Sequence, residues 1–105
     1  MTQHPIDLHS EYQRARLFFN MDNPVEAAKV LERVLAAEPE NQAALELLAR
    51  SYFGSAQLGR AEESLTRLVE LAPANGWARR ALARTLERQS RAPEAVAHHL
   101  SLIHI

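Results

Sequence analysis

Apolar residues recur along this chain at steps of three and four, the spacing of helices that each bury one face. The pattern predicts six such segments. The first covers 8–20 and is closed by Met21-Asp22-Asn23-Pro24, where Asn23 supplies a cap and Pro24 a first helical residue for the second. The second sets Val30, Leu31, Val34 and Leu35 on one face and stops at Glu38-Pro39. The third begins after Asn41 and carries Leu45, Leu48, Tyr52 and Phe53, with Gly54-Ser55 and Gly59 marking the next junction. The fourth carries Leu65, Leu68, Val69 and Leu71, stops at Ala72-Pro73 and is followed by a turn at Ala74-Asn75-Gly76. The fifth shows Leu82 and Leu86 and ends near Gln89-Ser90, and the sixth starts around Pro93. No alternation of period two is sustained, so the chain reads as all-α, without a strand. Its short connections make successive helices antiparallel neighbours.

A longer period overlies the helical one. Ala27, Ala61 and Ala95 stand 34 residues apart, and so do Ala15, Ala49 and Ala83, and Pro39 and Pro73. A constant step of that length marks one helical hairpin repeated and stacked. The predicted architecture is an α-solenoid of three helix–turn–helix units over 8–41, 42–75 and 76–105 in a single domain, 1–105. The last unit is incomplete, because its closing proline would fall beyond the final residue.

These positions resemble the tetratricopeptide repeat family, whose 34-residue unit reads W-x2-L-G-x2-Y, then A-x3-F, then P. The small residue of the first helix is Ala15, Ala49 and Ala83, and the aromatic slot three residues on holds Phe18, Tyr52 and Leu86. The alanine of the second helix is Ala27, Ala61 and Ala95, followed by a large slot holding Leu31, Leu65 and His99. The tryptophan slot holds Glu11, Leu45 and Arg79, so that part of the pattern is missing. The resemblance implies that the first helix of each unit lines a concave groove, that the second faces outward, and that the function is protein binding.

The last six residues, Leu100-Ser101-Leu102-Ile103-His104-Ile105, translate one reading frame of the transposon mosaic-end sequence used in library adapters. We read 100–105 as a non-native tail on a truncated gene, the alternative being a native, divergent last helix. On that reading the natural chain continues past His99, and further repeats or a polar capping helix cover its terminal apolar face.

Charge and chemistry narrow the function. A formal net charge of -1 argues against nucleic acid as a partner, since that affinity rests on basic excess. Cysteine is absent, which excludes disulfides, thiol catalysis and cysteine-bound zinc and suits a reducing cytoplasm. The opening Met1-Thr2-Gln3-His4-Pro5 lacks the order of a secretory signal, and no apolar run approaches the ~20 residues that span a bilayer. The expected location is cytoplasmic, with no membrane partner. Richness in arginine and alanine suggests a bacterial genome of high GC content. His4, His9, His98, His99 and His104 form no converging metal set. Ser10, Ser51, Ser55, Ser64 and Ser90 stand outside any nucleophile elbow, and Gly54, Gly59 and Gly76 lie at turns rather than in a phosphate loop. No catalytic residue, metal or cofactor is expected, and the chain does not read as an enzyme.

The charges are unevenly placed. The three first-helix segments hold seven arginines against three glutamates, so the inner face is expected to be basic and the outer face acidic. Arg16, Arg50 and Arg84 keep the 34-residue step and would stack as a ladder along the groove, where guanidinium groups grip carboxylates bidentately. Tyr12, Phe19, Phe53 and Trp77 would add apolar contacts, and Arg80 further charge. The candidate site is therefore Tyr12, Arg16, Phe19, Arg50, Phe53, Trp77, Arg80 and Arg84, with a protein or peptide partner and an acidic segment favoured. The competing reading pairs these arginines within the chain, with Glu46 or Glu87, and packs the phenylalanines between units. The carboxylate clamp of chaperone-binding members is not carried over, because its slots hold Tyr12, Arg16, Leu47, Arg50, Trp77 and Ala81. A second function is as a structural piece of a longer solenoid or homo-oligomer that associates through its end faces. With Val96, Leu100, Leu102 and Ile103 partly exposed at an uncapped end, the 105-residue chain is expected to self-associate or to be only marginally stable. Sedimentation velocity checks this, and a clean monomer with a cooperative melt would refute it.

Overall fold

The structure, a computed structural model, describes residues 7–89. Five helices follow in order: α1 (Leu8–Asn20), α2 (Pro24–Ala37), α3 (Gln42–Gly54), α4 (Leu58–Leu71) and α5 (Gly76–Arg88). No strand occurs among the described residues. The expected sixth helix, with Ala95, His98, His99 and the 100–105 tail, lies outside them.

Two boundaries differ from the sequence reading. Gly59 sits inside the first turn of α4 rather than at the junction, because α4 starts at Leu58. Asn75 and Gly76 are not merely a turn: Asn75 is the N-cap of α5 and Gly76 its first residue. A cap accounts for both ends of that junction, since the first turn of any helix leaves backbone N–H groups without partners.

The caps themselves keep the repeat. Asp7, Asn41 and Asn75, each 34 residues from the next, open the three first helices. Asn41 accepts from the Ala44 N–H and Asn75 from the Ala78 N–H, both at 3.0 Å. Asp7 accepts from both the N–H and the hydroxyl of Ser10, and these bonds hold its carboxyl below the usual carboxylate range. The hairpin turns repeat too. Asn23 N–H reaches Phe18 O and Asp22 N–H reaches Phe19 O; Gln57 N–H reaches Tyr52 O and Ala56 N–H reaches Phe53 O. Each is a Schellman closure, which needs a left-handed residue at its centre. Asp22 (φ 61) and Ala56 (φ 58) supply it without being glycine.

Packing follows from the alanine registers. Ala15, Ala49, Ala83, Ala27 and Ala61 are all fully buried. A single methyl at each lets neighbouring helices approach closely, and any larger side chain would force them apart. Around these lie Leu31, Leu45, Leu65, Leu68, Val30 and Val34, the largest fully buried apolar side chains. Ser51, Ser64 and Thr85 are buried with them, each hydroxyl donating to a carbonyl one turn back. No buried polar side-chain atom among the described residues lacks a partner. Leu17 is in register with Ser51 and Thr85 but is 61% exposed, because among the described residues α1 packs only on α2 and α3.

Every helix packs on the next, as short connections require. In addition α1 touches α3 and α3 touches α5, whereas α2 and α4 do not meet. The first helices are therefore crowded and the second helices splayed. That asymmetry curves the stack and makes α1, α3 and α5 its concave side.

Ala56 carries a left-handed backbone that costs a residue with Cβ about 1–2 kcal/mol. Ala56→Gly removes that cost but also frees the unfolded chain, for a net gain of about 0.5–1 kcal/mol. Calorimetry should show a melting temperature raised by a few degrees, and lowered in Ala56→Val.

Candidate protein-binding groove

The concave side encloses a cavity of about 540 Å³ between α1, α3 and the start of α5. Tyr12, Arg16 and Phe19 reach it from α1, one turn apart. Glu46, Leu47 and Arg50 reach it from α3, and Asn75 closes it from the α5 cap. Two rungs of the expected arginine ladder, Arg16 and Arg50, thus share one groove. Arg84 is exposed on α5 and does not line this cavity.

The two rungs differ in surroundings. Arg16 is exposed, and no ion pair involving it occurs among the described residues. Arg50 donates through Nε and Nη2 to Oε2 of Glu46 at 3.3 and 3.2 Å. Its guanidinium also lies over the Trp77 ring, 3.9 Å from the centroid. For this arginine the internal pairing weighed from the sequence holds. Asn75 Nδ2 donates to the other Glu46 oxygen at 2.7 Å, while its Oδ1 holds the Ala78 N–H. One asparagine therefore both caps α5 and positions the acid that lines the groove.

The remaining predicted residues are distributed around this groove. Phe19 lines the groove and packs against the core; Phe53 is half-buried against the same core, with the Arg88 guanidinium 4.7 Å above its ring. Trp77 is half-buried beneath Arg50. Arg80 is exposed and folds back over Gly76, where a Cβ would meet its Nη1 at 2.9 Å. Sequence reasoning named these residues but not their pairings, because stacking between hairpins leaves no local spacing signal.

The opposite side carries a crevice of about 360 Å³ lined by Glu32, Tyr52, Arg60, Glu63 and Arg67. The Tyr52 hydroxyl donates to Glu32 Oε1, joining α3 to α2. Burial, and then this bond to a carboxylate, push the Tyr52 phenol up to about 12. Arg67 donates to Pro39 O at 3.0 Å and Arg79 to Pro73 O at 2.7 Å, so both helix-closing prolines have their carbonyls taken by an arginine. Among the described residues no helix is long and apolar enough to cross a membrane.

Two profiles of the tetratricopeptide repeat family match the chain, over residues 18–71 and 47–103. Among solved structures, MamA (residue 41 to the end) from Desulfovibrio magneticus RS-1 superposes with a TM-score of 0.87 at 25% identity, over 96% of this chain and 57% of that one. The MamA RS-1 ArsTM double mutant gives 0.88 at 25% identity, with the same coverage. The chain thus spans a little over half the length of these structures. No curated protein matches it.

The crevice makes a titration prediction. A phenol raised from 10.0 to about 12 keeps its proton longer in the folded chain than in the unfolded one. Its stabilisation is complete below about pH 10 and is lost as pH climbs toward 12. Melting temperature measured across that window should fall more steeply for the natural chain than for Tyr52→Phe.

Proposed function

Because the chain belongs to the tetratricopeptide repeat family, a fold of protein-interaction scaffolds, we propose that it binds a peptide segment of a partner protein along α1, α3 and α5, with acidic residues favoured. The observation that carries this reading is the meeting of Arg16 and Arg50 in one concave cavity beside Tyr12 and Phe19. Arginine and aromatic side chains are the groups on which interface energy concentrates. Arg16, Arg80 and Arg84 add positive charge exposed on the first helices, and a field of one sign in a concavity raises the encounter rate with the opposite sign. Backbone contact along an extended ligand would come from the polar groups of Asn20 and Gln42.

A second reading, association of copies through end faces, has one observation in its favour. Among the described residues, Leu17, Met21 and Val25 are the large apolar side chains left most exposed, at 61%, 68% and 46%. They follow one another along the outer edge of the first hairpin.

The groove reading is tested with Arg16→Glu combined with Arg84→Glu. Both sites are exposed, so the fold should survive, as circular dichroism will verify. Losing a charge-assisted contact of about 1.5–3 kcal/mol should weaken binding of fluorescent Glu-rich octapeptides at least about tenfold. Unchanged peptide affinity and unchanged pull-down partners would refute groove binding and leave the end faces.

A further inference from the structure

We infer that Glu46 is a resident competitor in the groove: it occupies the carboxylate-binding edge of Arg50 and so selects a ligand that is acidic opposite Arg16 but neutral and hydrogen-bond-donating opposite Arg50. This rests on the groove reading above and specifies the ligand class that the groove takes.

Three observations place Glu46 in that role. First, it is the acidic side chain among the residues lining the cavity, which it shares with both arginine rungs, one turn before Arg50 on α3. Its counterparts in the 34-residue register are Tyr12 and Arg80, so the acid belongs to the middle unit alone. Second, it is held from both sides. Oε2 takes Nε and Nη2 of Arg50, and Oε1 takes Nδ2 of Asn75, itself tied to the start of α5 through the Ala78 N–H. A carboxylate anchored in this way remains in place when a ligand arrives. Third, Arg50 is not free to turn away from it, because its guanidinium lies against Trp77.

The consequence is geometric and electrostatic. The Nε/Nη2 edge, which would grip a ligand carboxylate bidentately, is already filled. Only the outer edge of Arg50 remains, and an anion docked there would lie close to the Glu46 charge and be repelled by it. The exposed Glu46 lone pairs instead suit a ligand amide or backbone N–H. Arg16 has no such neighbour among the described residues and takes an acidic side chain without competition. A continuous acidic run is therefore a poorer ligand than one in which acids alternate with neutral donors.

The experiment measures fluorescence anisotropy of two labelled octapeptides, one of glutamate throughout and one of alternating glutamate and glutamine, against the natural chain and Glu46→Gln. Glutamine keeps the shape and an acceptor for Asn75, and melting curves establish that the variant folds. The natural chain should prefer the alternating peptide. Glu46→Gln should tighten the all-glutamate peptide about tenfold and move the alternating one less than about twofold. Glu46→Ala gives the same direction if glutamine perturbs the cap. If the natural chain binds both peptides and Glu46→Gln shifts neither, the competitor role is overturned while the groove stands. If neither peptide binds any of these chains, the groove reading falls and the inference with it.

Discussion

Everything in this structure depends on the closeness that single methyl groups permit. Ala15, Ala49 and Ala83 in the first helices, and Ala27 and Ala61 in the second, are sealed completely from solvent. Each marks a place where a branched or aromatic side chain would separate two helices. With these contacts made, α1 can touch α3 and α3 can touch α5, while α2 and α4 stand apart. The curvature of the stack is thus a steric result of small residues recurring at a constant step. The groove exists because the stack is curved.

That groove is not a uniformly basic trough. Its charge is arranged in sequence along the curve: an exposed guanidinium at Arg16, then a neutralised pair at Glu46 and Arg50, then exposed arginines at Arg80 and Arg84 on α5. Half-exposed i,i+4 pairs add little to stability, a few tenths of a kcal/mol. The larger effect of the Glu46–Arg50 pair is to set the local field and to keep Arg50 over the Trp77 ring. Asn75 links this arrangement to the helix that follows, since one side chain serves as cap and as donor to the acid. Local structure and site geometry are therefore coupled through a single residue.

The architecture was largely legible before any coordinates. Helix ends at Leu8, Asn20, Pro24, Gln42 and Arg88 fall where the periodicity, the caps and the prolines place them, because repeated units repeat their signals. Gly59 misled, since glycine is read as a breaker but is tolerated in the first turn of a helix. The left-handed Ala56 left no trace in composition, because alanine is an unexpected residue there. The groove was half legible. The arginine step located Arg16 and Arg50, and the four-residue spacing of Glu46 and Arg50 allowed their pairing. The stack on Trp77 and the Tyr52–Glu32 bond join residues far apart in sequence, and only the packed fold brings them together.

One position shows that the units are not interchangeable. Where a hairpin packs on one before it, the slot holds Ser51 or Thr85, small hydroxyls that satisfy themselves on their own helix. In the first hairpin, which has no earlier hairpin against it among the described residues, the slot holds Leu17. Moving the first hairpin into the interior would press a leucine into space shaped for a serine, an overpacking penalty of about 1–3 kcal/mol. The order of the modules is therefore written into their sizes, and shuffling them would cost stability even though every unit shares one backbone plan.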